Sequence, residues 1–112
     1  MKHFMNLWND SFLSIKSGVK DIEMRLDDEK RRAIEKGDLI EFTNVSTKET
    51  LLAKVVDLFH FASFNELYSK FDKTRLGYRK NEEPNPKDME KYYSPDSIAE
   101  FGALGIQILV IH

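Results

Sequence analysis

The apolar run from Leu51 to Phe61 constrains the fold more than any other stretch of the sequence. It is rich in β-branched and aromatic residues, which favour a strand over a helix. Because the run is long for one strand, we expect a bend or bulge near Asp57. Polar, turn-rich residues separate it from Leu39–Asn44, which predicts a hairpin of two strands.

Three further strands are predicted, over Lys2–Leu7, residues 20–26 and Gly105–Ile111. The last is apolar on both parities, which is typical of a central strand covered on both faces. Residues 72–88 are polar and contain one glycine and two prolines, so they predict a long surface loop.

Short helices are expected between the strands, each supported by a capping residue, by proline in the first turn or by glycine after the last turn. They are a helix capped by Asn9 or Asp10 and ending at Gly18, one that starts with the Ser63–Glu66 capping box, one from Ser94-Pro95 through Phe101 to Gly102, and helical turns within Asp27–Ile34 and Met89–Tyr93.

The size and composition of the chain limit its class. Its 112 residues predict one domain over residues 1–112. A hydrophobic fraction of 41% and a charged fraction of 32% are typical of a soluble globular protein. The sequence shows neither a signal-peptide pattern nor a run long enough to span a bilayer. We therefore expect a cytoplasmic protein with no membrane partner, either a monomer or a weak homodimer.

Several kinds of chemistry lack their usual sequence signals. The absence of cysteine excludes disulfides, thiolate metal sites and cysteine nucleophiles. The three histidines, His3, His60 and His112, have no spacing typical of a metal site. The sequence contains neither a nucleophile elbow nor a phosphate-binding glycine loop. We therefore expect no metal and no cofactor.

The segment from Gly18 to Arg25 places charged residues of both signs in a predicted strand. Gly18 suits the left-handed position that ends a helix. Beyond it, apolar and charged residues alternate, which predicts that Glu23 and Arg25 share an open face. Lys20 joins them only if the strand starts after it, in a bend. The alternative is a solvated strand face with an incidental ion pair.

A basic and aromatic segment follows the third predicted helix. Lys73, Arg75 and Arg79 lie close in sequence to Tyr78, within a set that also includes Tyr68, Lys70, Phe71 and Lys80. Cations that meet phosphates and rings that stack on bases suit single-stranded RNA. The net charge of −2 argues against binding by bulk electrostatics. The alternative is an ordinary basic loop beside a core helix.

Gly18, Lys20, Glu23 and Arg25 fit the G-x-K-x-x-E-x-R signature of the ASCH (activating-signal-cointegrator homology) domain, which is related to the PUA group of RNA-binding domains. The resemblance extends over nearly the whole chain, through Glu29-Lys30-Arg31, Gly37–Phe42, Tyr92–Pro95 and Phe101–Ile106. It implies a mixed, β-rich α+β fold of the PUA-like type, a small and strongly bent β-barrel of about five strands with short helices closing its ends.

The resemblance also implies a function. ASCH domains are generally taken as RNA-interacting or coregulator modules, so the first hypothesis is an RNA- or nucleotide-binding module. Lys20 and Arg25 would meet phosphate or a base edge, and Glu23 would orient them or accept a base amino group. Lys73, Arg75 and Arg79 would add salt-sensitive contacts, and Tyr78 would take part in ligand binding. A protein-interaction or coregulator module is another alternative.

A second hypothesis comes from small ASCH proteins that hydrolyse the amide of 4-acetylcytidine with a lysine at the position of Lys20. In that branch a threonine stands where this chain has Glu23, and a further glutamate is expected near Asp96 and Ser97. A lysine acts as base or nucleophile only when burial or a nearby cation lowers its pKa. Glu23 would hold the ammonium group charged, although it could also be catalytic as a proton shuttle. Binding therefore ranks above hydrolysis.

Overall fold

The structure, a computed structural model, describes residues 1–111, and His112 lies outside the described part. Within residues 1–111 one five-stranded sheet curls into a half-barrel, with short helices packed against it. Its strands are β1 (Lys2–Leu7), β2 (Ile22–Leu26), β3 (Leu39–Asn44), β4 (Thr50–Phe61) and β5 (Ala103–Ile111). The helices are α1 (Asn9–Lys16), α2 (Glu29–Arg32), α3 (Phe64–Lys70) and α4 (Pro95–Phe101), and a 3₁₀ helix covers Pro86–Lys91. The predicted β-rich α+β fold is confirmed.

The strand order in the sheet is β1-β3-β4-β5-β2. The predicted hairpin is present as the antiparallel pair β3 and β4, whereas β1 pairs with β3 in parallel. Between Val55 and Asp57 the register of β4 against β5 shifts, so the predicted bulge is confirmed. There the Leu58 amide donates a 2.8 Å hydrogen bond to Asp57 Oδ1, which satisfies a backbone group at the irregularity.

Strand β5 differs in part from its prediction. It lies between β4 and β2 as an interior strand, and its first half is buried. Leu67 and Phe71 pack over Gly105 in that half. At the other end, however, Leu109 is 62% exposed and Ile111 is 42% exposed. The prediction of cover on both faces is therefore wrong for the second half of the strand.

Two local predictions also need correction. Helix α1 has Trp8 as its N-cap, because the Asn9 side chain instead accepts a 2.9 Å hydrogen bond from Asn44 Nδ2. The predicted surface loop over residues 72–88 contains a buried residue, Leu76, and ends in the 3₁₀ helix. Apolar side chains inside a polar segment therefore anchor it to the domain.

Two groups of buried apolar side chains support the sheet. The first joins α1 to the middle of the sheet through Phe12, Ile15, Ile40 and Phe42. The second lies beneath α3 and the 3₁₀ helix, and it contains Ile22, Phe64, Leu67, Phe71, Leu76, Met89 and Ala103. Because Ile22, Leu76 and Met89 belong to this second group, the group fixes the start of β2 relative to residues 71–85. These residues, which lie between α3 and the 3₁₀ helix, are called the segment after α3 below. None of the helices in residues 1–111 is long and apolar enough to cross a bilayer.

Candidate functional site

The three charged residues of the signature meet at the start of β2. Lys20 lies in a bend before that strand, and its Nζ is 3.0 Å from Glu23 Oε1. Arg25 Nε donates a 2.8 Å hydrogen bond to Glu23 Oε2, and its Nη2 donates to the Asn6 carbonyl at 3.0 Å. The predicted bend after Gly18, which has φ of +86°, therefore brings Lys20 to the carboxylate.

Two of these residues, Lys20 and Glu23, are buried, in contrast to the predicted open face. Lys20 is only 7% exposed and Glu23 only 3% exposed, so a solvated strand face is wrong. The cover comes from the segment after α3. The Arg75 carbonyl accepts hydrogen bonds from the amides of Asp21 and Ile22 at 3.2 and 3.1 Å. A Cβ atom on Gly77 would lie 3.0 Å from Lys20 Cδ, so this glycine permits close contact.

Glu23 and Arg25 keep their charges at neutral pH. Burial acts to raise the pKa of Glu23, but the charges and hydrogen bonds of Lys20 and Arg25 outweigh burial and hold the pKa below its ordinary value of 4.5. Burial acts to lower the pKa of Arg25, but Glu23 and the hydroxyl of Tyr93 raise it above the ordinary value. Glu23 is therefore an ionised acceptor between two donors.

A pocket of about 400 Å³ opens onto this cluster. Lys20, Glu23 and Arg25 line it together with five aromatic residues, Trp8, Tyr68, Tyr78, Tyr92 and Tyr93. Trp8 is 63% exposed and Tyr92 is 56% exposed, so their rings lie near the mouth of the pocket. The site therefore combines a polar floor, formed by Lys20, Glu23 and Arg25, with walls of aromatic residues. In residues 1–111 we find no group of three or more His, Asp or Glu side chains placed to hold a metal ion.

One wall of the pocket is a chain of hydroxyl groups. The Tyr78 hydroxyl donates to Asp88 Oδ2 at 2.6 Å and lies 2.9 Å from the Tyr68 hydroxyl, which is therefore the donor of that second bond. Burial is the main cause of a raised pKa at both tyrosines. Both phenols therefore stay protonated at neutral pH, and Tyr78 connects the segment after α3 to the 3₁₀ helix.

The predicted basic contacts fall into two groups. Arg75 pairs with Asp21 through Nε and Nη2 at 2.8 and 3.0 Å, and Lys73 Nζ donates to the carbonyls of Lys80 and Glu82 at 2.7 Å each. Both cations therefore hold the segment in place. Arg79 is exposed, and its guanidinium has no hydrogen-bonding partner among residues 1–111. Of the three predicted cations, Arg79 is the one free to meet a ligand outside the pocket.

The predicted site residues did not include Trp8, Tyr92, Tyr93 or Asp88, all of which line the pocket. Tyr92-Tyr93 belongs to a motif that carries the ASCH resemblance, which was the available signal. No sequence motif marked Asp88, because its hydrogen bond with Tyr78 forms only when the segment after α3 folds against the 3₁₀ helix. Asp96, near which the hydrolytic branch of the family would have a glutamate, does not line the pocket.

The curled five-stranded sheet and the short helices packed against it define a PUA-like α+β domain. Residues 5–109 match the ASCH domain family, and the chain belongs to that family. ASCH domains are thought to bind RNA.

Solved structures agree with this assignment. The chain is similar to the crystal structure of the hypothetical protein PH0355, with 30% identity and a TM-score of 0.83, over 99% of this chain and 100% of that one. A solution structure of protein PF0455 from Pyrococcus furiosus has 26% identity and a TM-score of 0.78, over 100% and 99% of the two chains. The ASCH protein from Zymomonas mobilis shares the fold, with 13% identity and a TM-score of 0.63, over 99% of this chain and 67% of that one. No curated protein matches the sequence.

Proposed function

We propose that this protein binds RNA or a nucleotide by taking one base into the pocket. The observation that carries the proposal is the meeting of Lys20, Glu23 and Arg25 on the floor of a pocket with aromatic walls. A flat ring that enters the pocket would contact tyrosine faces, while polar atoms on its edge would reach the charged floor. Stacking on aromatic side chains and hydrogen bonding to a base edge are the usual means of reading single-stranded RNA.

The charge balance of the pocket favours a base over a phosphate group. Its cations are Lys20, Arg25 and Lys91, and its carboxylates are Glu23, Glu82 and Asp88, so the formal charges cancel. A phosphate would lose hydration without meeting a net positive field. The RNA backbone would instead remain outside, where Arg79 supplies an exposed cation.

The experiment measures binding of short single-stranded RNAs by fluorescence anisotropy over a range of salt concentrations. Lys20→Met and Arg25→Met should each lower affinity by about tenfold or more, since a lost hydrogen bond from a charged group costs about 1.5–3 kcal/mol. Arg79→Met should reduce the slope of log affinity against log salt concentration by about 1, the effect of losing one phosphate contact. Phe4→Ala is the control, because Phe4 is 66% exposed and is not among the residues that line the pocket. No salt-dependent binding at low ionic strength, or unchanged binding in both floor variants, would contradict the proposal.

A second candidate is hydrolysis of the amide of 4-acetylcytidine-type nucleosides, with Lys20 as base or nucleophile. The observation in its favour is that Lys20 Nζ lies on the pocket floor, 3.0 Å from a carboxylate that could take part in proton transfer. The loss of ultraviolet absorption by 4-acetylcytidine would measure turnover. Turnover no faster than that of Lys20→Met would exclude this candidate.

A further inference from the structure

We infer that the pocket floor selects a base that presents a carbonyl oxygen, as in uracil or hypoxanthine, over one that presents an amino group at the same position. This inference rests on the proposed function, and it names the class of base that the site would take.

The floor has hydrogen-bond donors to spare. Lys20 carries three N–H groups, and Glu23 Oε1, at 3.0 Å from Nζ, is the one acceptor that we find for them within residues 1–111. Two donors therefore remain on the ammonium group of Lys20, a buried residue that lines the pocket. A carbonyl oxygen that reaches the floor would satisfy one of them.

The acceptors that contact the floor cations already hold hydrogen bonds. Glu23 accepts from Arg25 and pairs with Lys20, and the Asn6 carbonyl accepts from Arg25. Higher on the walls, Asp88 accepts from Tyr78 at 2.6 Å, and Glu82 accepts from the Arg79 amide at 2.7 Å. An amino group on the floor would therefore lie beside an ammonium group, and the carboxylate there, Glu23, is already shared by two cations. A poorly paired buried donor is costly.

The burial of Glu23 strengthens this preference. Its side chain is 4% exposed, compared with 8% for Lys20 and 16% for Arg25, so a ligand reaches the cations more easily than the carboxylate. The floor carries one net positive charge, from two cations and one carboxylate. Positive charge favours the oxygen end of a carbonyl dipole and disfavours the hydrogen end of an amino group.

The test compares two matched pairs of nucleosides by isothermal titration with the intact protein. Uridine and cytidine differ at positions 3 and 4, and inosine and adenosine differ at positions 1 and 6. In each pair a ring N–H beside a carbonyl oxygen is exchanged for a bare ring nitrogen beside an amino group. We expect the carbonyl member of each pair to bind about tenfold more tightly, the discrimination typical of a well-placed base contact. Uridine 5′-monophosphate should bind no more than about threefold more tightly than uridine, because the pocket has no net charge.

Two variants separate the floor from the general charge of the pocket. Lys20→Met should bring the affinity ratio of both pairs close to one. Lys91→Met removes a cation of the same pocket, but from an exposed residue, and should keep both ratios. A Lys91 variant that loses the discrimination as completely as the Lys20 variant would overturn the inference.

The outcomes distinguish the inference from the proposed function. Equal or tighter binding of cytidine and adenosine by the unsubstituted protein overturns the inference and leaves the proposed function standing. If RNA binds but none of the four nucleosides binds, the inference is likewise overturned and the proposed function stands. Failure of both RNA and nucleosides to bind overturns the proposed function and the inference together. The primary comparison uses the unsubstituted protein, so it does not depend on whether a variant folds.

Discussion

At the scale of single residues, the buried cluster is asymmetric. Glu23 has two cationic partners, whereas Lys20 has one carboxylate partner among residues 1–111. Lys20→Met leaves Glu23 paired with Arg25, so it should cost only about 1 kcal/mol. Glu23→Leu leaves two buried cations without their carboxylate, and removal of one partner from a buried pair costs about 3–5 kcal/mol. Urea unfolding of both variants, followed by circular dichroism, measures the difference.

The double variant Lys20→Met/Glu23→Leu is the control for this prediction. It leaves a single unpaired cation, Arg25, and should be more stable than Glu23→Leu alone. Equal costs for the two single substitutions would show that the charges of the cluster are compensated by water rather than by one another.

Substitution of Trp8 should affect RNA binding without affecting the stability of the fold. It is 63% exposed, and as the N-cap of α1 it makes no capping hydrogen bond with its side chain. Trp8→Ala should therefore change the free energy of unfolding by less than about 0.5 kcal/mol. If the ring stacks on a base, the same change should weaken RNA binding by about 1–3 kcal/mol. Anisotropy titration and urea unfolding, with Phe4→Ala alongside, measure both effects.

At the scale of elements, the segment after α3 controls the pocket through Gly77. Gly77 has φ of +106°, and its missing Cβ leaves room for Lys20. Gly37 has φ of +89° with no atom within 4 Å of the Cβ position. Alanine at either position should destabilise the protein by about 1–3 kcal/mol through backbone strain. Only Gly77→Ala should also weaken nucleoside binding, because it displaces the lysine.

The measurement is a thermal unfolding curve for each alanine variant together with a uridine titration. The Gly37 variant isolates the cost of the backbone conformation, so the difference between the variants reports the contact with Lys20. A loss of affinity of the same size in both variants would mean that general destabilisation, rather than the position of Lys20, limits binding.

The elements that could be predicted from the sequence are those determined by residues close to one another in the chain. The Asp57 bulge and the Ser63 and Ser94 caps follow from residues close in sequence, and the structure contains all three. The burial of Glu23 was missed because strand alternation places it on the face opposite Ile22. Glu23 pairs with Lys20, which the segment after α3 contacts through Gly77, and that segment begins more than forty positions later in the sequence. No local pattern contains that information.

At the scale of the whole molecule, the order of the strands shows the same limit. Apolar patterning predicted the five strands, since each has its own periodicity or composition. The parallel pairing of β1 with β3 and the place of β2 at the edge beside β5 depend on contacts between distant residues. The resemblance to the ASCH family supplied the barrel-like fold, which the residues alone gave only as a β-rich α+β domain. The charged residues of the site were named from the signature, and Tyr68 and Tyr78 belonged to the basic and aromatic segment, whereas Trp8, Tyr92 and Tyr93 required the structure.

The stability of the whole molecule should fall in acid because several of its carboxylates are stabilised by folding. The hydrogen bond from His3 and the Glu35 amide are the main causes that lower the pKa of Asp38 from 3.8 to about 2. The pKa of Glu23 and that of Asp57, where the hydrogen bond from Lys36 is the main cause, are also lowered. A carboxylate whose pKa is lowered by folding stabilises the folded state at pH values above its unfolded-state pKa. This contribution is lost as the pH falls through its folded-state pKa. The midpoint of urea unfolding should therefore change little between pH 7 and 5 and decrease from about pH 4 to about pH 2.

Asp38→Asn tests the contribution of one of these carboxylates. The variant should be less stable than the unsubstituted protein at pH 7, and the difference between them should shrink as the pH approaches 2, because Asp38 itself is then becoming protonated. Glu83→Gln, a change at an exposed carboxylate, serves as the control for the loss of one negative charge. A difference between Asp38→Asn and the unsubstituted protein that stays constant from pH 7 to pH 2 would show that Asp38 stabilises the fold by its shape and hydrogen-bonding capacity rather than by its charge.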